Sequence, residues 1–138
     1  PQIFGWDVFA PVAQFWSMII NQNAKLRASS YEIPQWSHYS AVGWANQNVS
    51  MDYVNIIFRD HQLENKEMKK RLQFIERFFQ DLNTEYQSIN PFGKQHFSKI
   101  WSLMYLGLYT SYYAALLTDT DPGPTPILHQ LDETLAIA

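Results

Sequence analysis

Ile100-Trp-Ser-Leu-Met-Tyr-Leu-Gly-Leu-Tyr-Thr-Ser-Tyr-Tyr-Ala-Ala-Leu-Leu-Thr118 runs for nineteen residues without a charge, and the fold expected of the chain turns on it. As a helix it extends about 28 Å at 1.5 Å per residue, close to the ~30 Å hydrocarbon layer of a bilayer. Lys94 and Lys99 precede it and Asp119 and Asp121 follow. That asymmetry fits a span whose preceding segment stays on the cytoplasmic or matrix-like side. Its five Leu and one Ile are diluted by four Tyr, two Ser and two Thr, and each Leu or Ile contributes only ~0.5 kcal/mol on an insertion scale. The stretch therefore reads in two ways. It is a transmembrane helix with Trp101, Leu103, Leu106, Leu108, Leu116 and Leu117 in the membrane, or it is the buried central helix of a bundle, apolar on every side. Gly107-x-x-x-Ser111 permits a close helix neighbour in either setting.

The surrounding charge distribution points the same way. All ten basic residues lie between Lys25 and Lys99, where eight acids leave a balance of +2. A second uncharged stretch, Val8 to Ala24, flanks that middle but contains Pro11, Gln14, Asn21, Gln22 and Asn23. Charged residues make up 17% of the 138, below the usual ~25%, while aromatic residues reach 16%. The length suits one domain, 1–138. Without cysteine there is no disulfide scaffold and no thiolate chemistry. A net charge of −3 gives no general attraction to nucleic acid.

Helical spacing recurs elsewhere. Phe9, Val12, Phe15, Trp16, Ile19 and Ile20 form one stripe after a capping Asp7. Residues 25–49 carry Pro34 and Gly43 with no steady period, and read as an extended linker. Trp36, Tyr39 and Trp44 make it a segment that packs on a neighbour. Asn48-Val49-Ser50 matches a glycosylation sequon, a frequent chance pattern. Met68, Leu72, Ile75, Phe79, Leu82 and Tyr86 alternate spacings of four and three, an a/d seam suited to a partner helix. Extended backward through Val54, Phe58, His61 and Asn65, it predicts a long helix from Ser50 to about Gln87, or one broken at Asn65. Asn90-Pro-Phe-Gly93 is a turn before the 91–118 helix. Asp119 to Pro126 stops that helix, and Ile127, Leu128, Leu131 and Leu135 mark a short tail helix. The first residues, Pro1 to Trp6, hold neither a Met nor a basic targeting stretch, which leaves a removed leader open.

No catalytic constellation stands out. His61 and Glu64 share a helical face and are the weak metal candidates, but a di-iron bundle needs Glu-x-x-His on two helices plus further glutamates. Ser37-His38 and the His96/Ser98 pair lack a nucleophile-elbow context. Lys66, Lys69, Lys70, Arg71 and Arg77 are interrupted by acids and read as a solvated helix face.

The expectation is an all-α fold of four to five helices, with a long central helix bearing the heptad-like stripe and an apolar helix near 91–118. The expected role is a non-catalytic accessory or structural subunit of a larger membrane-embedded complex of respiratory or photosynthetic type. Its partners would be other protein subunits and the bilayer, without nucleic acid and without a cofactor. It would sit in a mitochondrial or other energy-transducing membrane. Two alternatives stand beside this: a soluble, cytoplasmic helical bundle binding an apolar small ligand, and a small enzyme using His61 with its acidic neighbours.

Overall fold

Gln2–Gly5, Ser29–Glu32, Asn55–Phe58 and Tyr86–Ile89 are β-strands, β1 to β4 in chain order. The computed structural model describes residues 1–45 and 53–136. In it the strands form one parallel sheet in the order β2-β1-β3-β4. Six α-helices accompany it among the described residues: α1 Ala10–Ile19, α2 Ile33–His38, α3 Ser40–Trp44, α4 Lys66–Asp81, α5 His96–Leu117 and α6 Pro126–Ala136.

The all-α expectation is thus wrong, and the reason is physical. A strand buried on both faces shows no polar–apolar alternation. The central strands β1 and β3 are buried at every residue, and each is only four residues long. Parallel neighbours also need no hairpin turn, so the commonest local strand signal is absent. The expected 25–49 linker contains β2, α2 and α3, and the sequon at 48–50 lies outside the described residues.

Register decides which side each residue serves. Phe4 lies beside Tyr31 of β2 and Ile57 of β3. Its ring packs on Trp36 of α2 at 5.3 Å and on Phe79 of α4 at 5.4 Å. Phe58 points to the other face, where Trp16 of α1 meets it at 5.3 Å. Helices therefore cover both faces.

The seam at 68–82 is real as a helix stripe but serves a different neighbour. Asn65 Oδ1 accepts the Met68 N–H at 2.8 Å and starts α4. Asn83, left-handed at φ 51°, lies just beyond its end. Leu72, Ile75 and Phe79 are fully buried against the sheet side, Met68 is partly buried, and Leu82 caps the helix. The backward extension fails because Asn55–Phe58 is β3, and Tyr86 belongs to β4.

α5 occupies most of the uncharged stretch, but no helix among the described residues is long and apolar enough to cross a membrane. The Tyr, Ser and Thr residues dilute it too far. Its buried stripe is narrow: Lys99, Leu103, Gly107, Ser111 and Ala115. Trp101, Leu106, Leu108, Leu116 and Leu117 are exposed. α5 docks on α1 where Trp16 Nε1 donates to the Leu103 carbonyl at 2.8 Å. A Cβ at Gly107 would stand 2.5 Å from Trp16 Nε1. Gly107→Ala gains about 1 kcal/mol of helix propensity but must displace the indole, an overpacking cost of about 1–3 kcal/mol. The expected net result is a destabilisation of up to about 2 kcal/mol in urea unfolding, where an exposed helix glycine would be stabilised.

Candidate functional site

The order β2-β1-β3-β4 locates the place where a ligand fits. β1 passes through α1 to β2 on one side, and β3 passes through α4 to β4 on the other. In open α/β sheets the crevice at such a reversal, outside the carboxyl ends of the strands, is the usual binding position. Here those ends are Gly5 of β1, Phe58 of β3 and Ile89 of β4. Asp7, just beyond β1, is held left-handed at φ 47°.

A cleft of about 190 Å³ opens at this edge, lined by Asp60, His61, Gln62, Asn90, Pro91, Gly93 and Lys99. A larger hollow of about 390 Å³ lies at the opposite end of α5, around Leu116 to Pro122. The smaller one lies at the carboxyl edge of the sheet, beyond β3 and β4 and beside the β1–β3 reversal rather than in it. Gly93, at φ 122°, forms one wall with a backbone conformation that a side chain would strain.

A buried ionic network supports the cleft from below. Arg59 follows β3 directly and is bidentate to Glu64, Nε to Oε1 at 2.7 Å and Nη2 to Oε2 at 2.8 Å. Its Nη1 donates to Glu76 Oε1 at 2.6 Å, and Ser88 of β4 donates to the same oxygen at 2.7 Å. The Arg59 and Glu64 side chains are only 5% and 1% exposed, so each depends on the other for its charge. Burial by itself would raise the Glu64 pKa, but hydrogen bonding and the positive charge of Arg59 outweigh it and hold the carboxyl below its ordinary 4.5. The hydrogen bonds that Arg59 donates to Glu64 raise the guanidinium pKa in turn.

Acid stability depends on this pairing. A carboxyl whose pKa is depressed on folding stabilises the native state fully above its unfolded value, and the contribution is lost as pH falls through the folded value. Urea midpoints should therefore be flat from neutrality to about pH 5.5 and then fall as Glu64 takes up its proton. The Glu64→Gln variant should lack this component.

Lys99 is the second buried cation. It is 3% exposed and sits in the first turn of α5, where the positive end of the helix dipole opposes it. Its Nζ pairs with Asp60 Oδ2 at 2.6 Å and donates to Gln62 Oε1 at 3.0 Å. Asp60 Oδ1 accepts the Gln62 N–H at 3.0 Å, tightening the turn after β3. A lysine in so unfavourable a position is a local inconsistency of the sort that functional sites retain. His61 is the opposite case: its side chain is 66% exposed, with Nδ1 3.5 Å from Glu64 Oε2. Both carboxylates nearby are committed, Asp60 to Lys99 and Glu64 to Arg59. Among the cleft-lining titratable groups, the imidazole is the one open to an incoming ligand.

The residues expected to act fall into separate places. His61 reaches the cleft, and Glu64 lies beneath it, bound to Arg59 rather than offered to a metal. Among the described residues no group of three or more His, Asp or Glu is placed to hold a metal ion. Trp36 and Trp44 are buried with Phe79 in an aromatic cluster, while Tyr39 stands exposed beside them. Tyr86 is half-buried and accepts from Gln80. Lys99, Arg59, Asn90 and Gly93 are site residues that the sequence does not single out. The available signal is Asn55-Ile-Ile-Phe58 followed by Arg59-Asp60: a short apolar run ending in charges, as a buried parallel strand ends at its functional edge.

Residues 1–135 match the family model described as "Bacterial phospho-glucose isomerase C-terminal SIS domain". The chain is 22% identical to the bifunctional phosphoglucose/phosphomannose isomerase of Aquifex aeolicus over 135 residues, 98% of this chain and 42% of that protein. It is also 22% identical to the corresponding protein of Thermoplasma volcanium over 136 residues, 99% of this chain and 43% of that protein. It thus spans about two-fifths of the length of these curated relatives. Among solved structures, a glucose-6-phosphate isomerase like protein from Thermus thermophilus superposes with a TM-score of 0.70 at 18% identity, covering 96% of this chain and 42% of that one. Glucosamine-6-phosphate deaminase from Thermotoga maritima superposes at 0.60 with 11% identity, covering 88% of this chain and 36% of that one.

These findings overturn the expected accessory subunit of a respiratory or photosynthetic membrane complex. The low charge and the surplus of rings reflect a sheet buried between aromatic layers and an exposed α5 face, not a lipid-facing span. The membrane location falls with the spanning helix, and the helical bundle around an apolar ligand falls with the parallel sheet. Of the small enzyme built on His61 and its acidic neighbours, only the acids are set aside, because Glu64 and Asp60 are tied to Arg59 and Lys99. With the model matched from residue 1 to residue 135, the chain belongs to the family of bacterial phospho-glucose isomerase C-terminal SIS domains.

Proposed function

We propose that the chain serves a sugar-phosphate isomerase of the phosphoglucose/phosphomannose type, and that the hexose phosphate sits in the cleft at the carboxyl ends of β3 and β4. The observation that carries this is the buried Lys99, held against the helix dipole at the wall of that cleft by Asp60. A phosphate, or the anionic oxygen that develops when an aldose carbonyl enolises, would take the place of the Asp60 carboxylate on this cation. The family match supplies the class of substrate.

Aldose–ketose isomerisation removes the proton from C2, returns one to C1, and moves the carbonyl from C1 to C2. It needs a group able to take and give that proton near neutral pH, and a histidine is suited to it. His61 is the exposed titratable side chain on the cleft wall. Gln62 and Asn90 supply neutral hydrogen-bonding groups for sugar hydroxyls.

The test combines binding and turnover. Titration calorimetry with glucose 6-phosphate and mannose 6-phosphate should show saturable binding, and a coupled assay should show interconversion with the ketose phosphate. His61→Asn, on an exposed side chain, should leave the fold intact by circular dichroism and lower kcat by roughly 10²–10⁴-fold. Absence of binding by the folded wild-type chain would overturn the proposal. An unchanged kcat in His61→Asn would remove the histidine from it.

A further inference from the structure

The Asp60 carboxylate occupies two donors at once. Its Oδ2 lies 2.6 Å from Lys99 Nζ, and its Oδ1 accepts the Gln62 N–H at 3.0 Å. The cation comes from α5 and the amide from the turn after β3, and both residues line the cleft. Lys99 stands in the first turn of α5, so the positive end of that helix adds to the same spot. A fixed cation and a backbone amide converging at a helix start form an oxyanion site. Here one of the chain's own side chains fills it, and fills it incompletely. Asp60 is buried, yet its Oδ2 accepts no hydrogen bond among the described residues. Lys99 holds that oxygen by charge and donates instead to Gln62 Oε1 at 3.0 Å.

We infer that Lys99 Nζ and the Gln62 N–H are the phosphate subsite of the cleft, and that Asp60 is its built-in competitor, displaced when a phosphate monoester enters. This rests on the reading of the cleft as a hexose-phosphate site and adds which donors take the phosphate and what regulates access to them. Three observations support the exchange. A phosphate monoester brings a charge of about −1.5 to −2 and three acceptor oxygens, so it satisfies the buried cation more fully than one carboxylate does. Asp60 is the only acid among the lining residues, so once its side chain turns out to water no other acid on that wall opposes the ligand. The exchange also asks little of the fold, because the Asp60 backbone is anchored separately. Its N–H donates to Glu64 Oε1 at 3.0 Å, and its carbonyl accepts the Leu63 and Glu64 N–H groups at 3.0 and 2.9 Å. Rotation of the side chain alone frees both donors. The affinity of the site is then set by how often Asp60 is out, since apparent affinity falls with the fraction of competent molecules.

Two measurements test it. The first is calorimetric titration of the wild-type chain and of Asp60→Asn with inorganic phosphate and with glucose 6-phosphate. Asp60→Asn keeps the shape of the side chain and removes the competing charge. With the open form populated at roughly 1–10%, the variant should bind both ligands roughly 10- to 100-fold more tightly than the wild type. The second needs no variant, and so decides the matter even if Asp60→Asn fails to fold. Carboxyl-detected carbon-13 NMR of the wild-type chain, titrated with inorganic phosphate, should show the Asp60 carboxyl and the Gln62 amide shifting together and saturating at one concentration. Phosphate bound by Asp60→Asn but not by the wild type would support the inference. Equal affinity in the two folded proteins would overturn it and leave the hexose-phosphate reading standing. So would cleft amides that saturate while the Asp60 carboxyl stays in place. Binding by neither protein would overturn both.

Discussion

Glu64→Ala is expected to cost about 3–5 kcal/mol of folding stability, because it leaves a buried guanidinium without its main partner. The Arg59 side chain is 5% exposed, and two of its three ionic hydrogen bonds end on Glu64. Glu76, the remaining acceptor, is more exposed at 22% and also receives Ser88, so it cannot replace a bidentate carboxylate. Glu64→Gln keeps the volume and one acceptor oxygen, and should cost less than the alanine variant but more than a surface charge. Urea unfolding at neutral pH separates the three cases. A loss under about 1 kcal/mol for Glu64→Ala would mean that Arg59 is hydrated, and the rigid floor ascribed to the cleft would not exist.

Phe79→Ala should be comparably damaging for an unrelated reason. Phe79 is fully buried, and its ring lies 5.4 Å from Phe4, 5.8 Å from Trp36, 5.6 Å from Trp44 and 6.3 Å from Tyr86. Those rings come from β1, α2, α3 and β4, so one side chain joins α4 to elements on both sides of the sheet order. Large rings shift poorly into a vacancy, which places the cost in the range of about 3–5 kcal/mol for aromatic-to-alanine changes in cores. At roughly 3–4 °C per kcal/mol for a chain of this size, Tm should fall by roughly 10–20 °C. Phe74→Ala is the control, because Phe74 on the same helix is exposed and should change Tm by only a degree or two.

How far the fold is legible in sequence varies along the chain. α4 and α5 are visible, because a helix that buries one side against a sheet leaves a periodic stripe whatever it packs on. The partner of that stripe is not visible. Met68 to Leu82 looks the same against a sheet as against a second helix, and the seam runs backward into Phe58 only because position 58 happens to fit the spacing. β1 and β3 are four residues each and open on the polar Gln2 and Asn55, too short for a period to declare itself. β2, as Ser-Ser-Tyr-Glu, has the composition of a loop and is a strand because β1 lies alongside it. The candidate site is legible only in part. His61 stands out for its neighbours in sequence, whereas Lys99 comes to Asp60 across 39 positions and only through the fold. In sequence it reads as the flank of a membrane span. The uncharged run belongs to a helix that buries one narrow stripe and leaves its other faces exposed, and it is misleading as a sign of a membrane span.

The central claim is that the carboxyl edge of β3 and β4 is where a hexose phosphate binds. Heteronuclear NMR titration of the isotopically labelled chain with glucose 6-phosphate tests it most directly. Saturable shifts should concentrate at the backbone amides of Asp60, His61, Gln62 and Gly93 and be abolished in the double variant Lys99→Met/Asp60→Asn, which removes both charges of the buried pair and should keep the remaining spectrum native-like. Shifts centred on the hollow at Leu116 to Pro122, or none at millimolar ligand, would contradict the account.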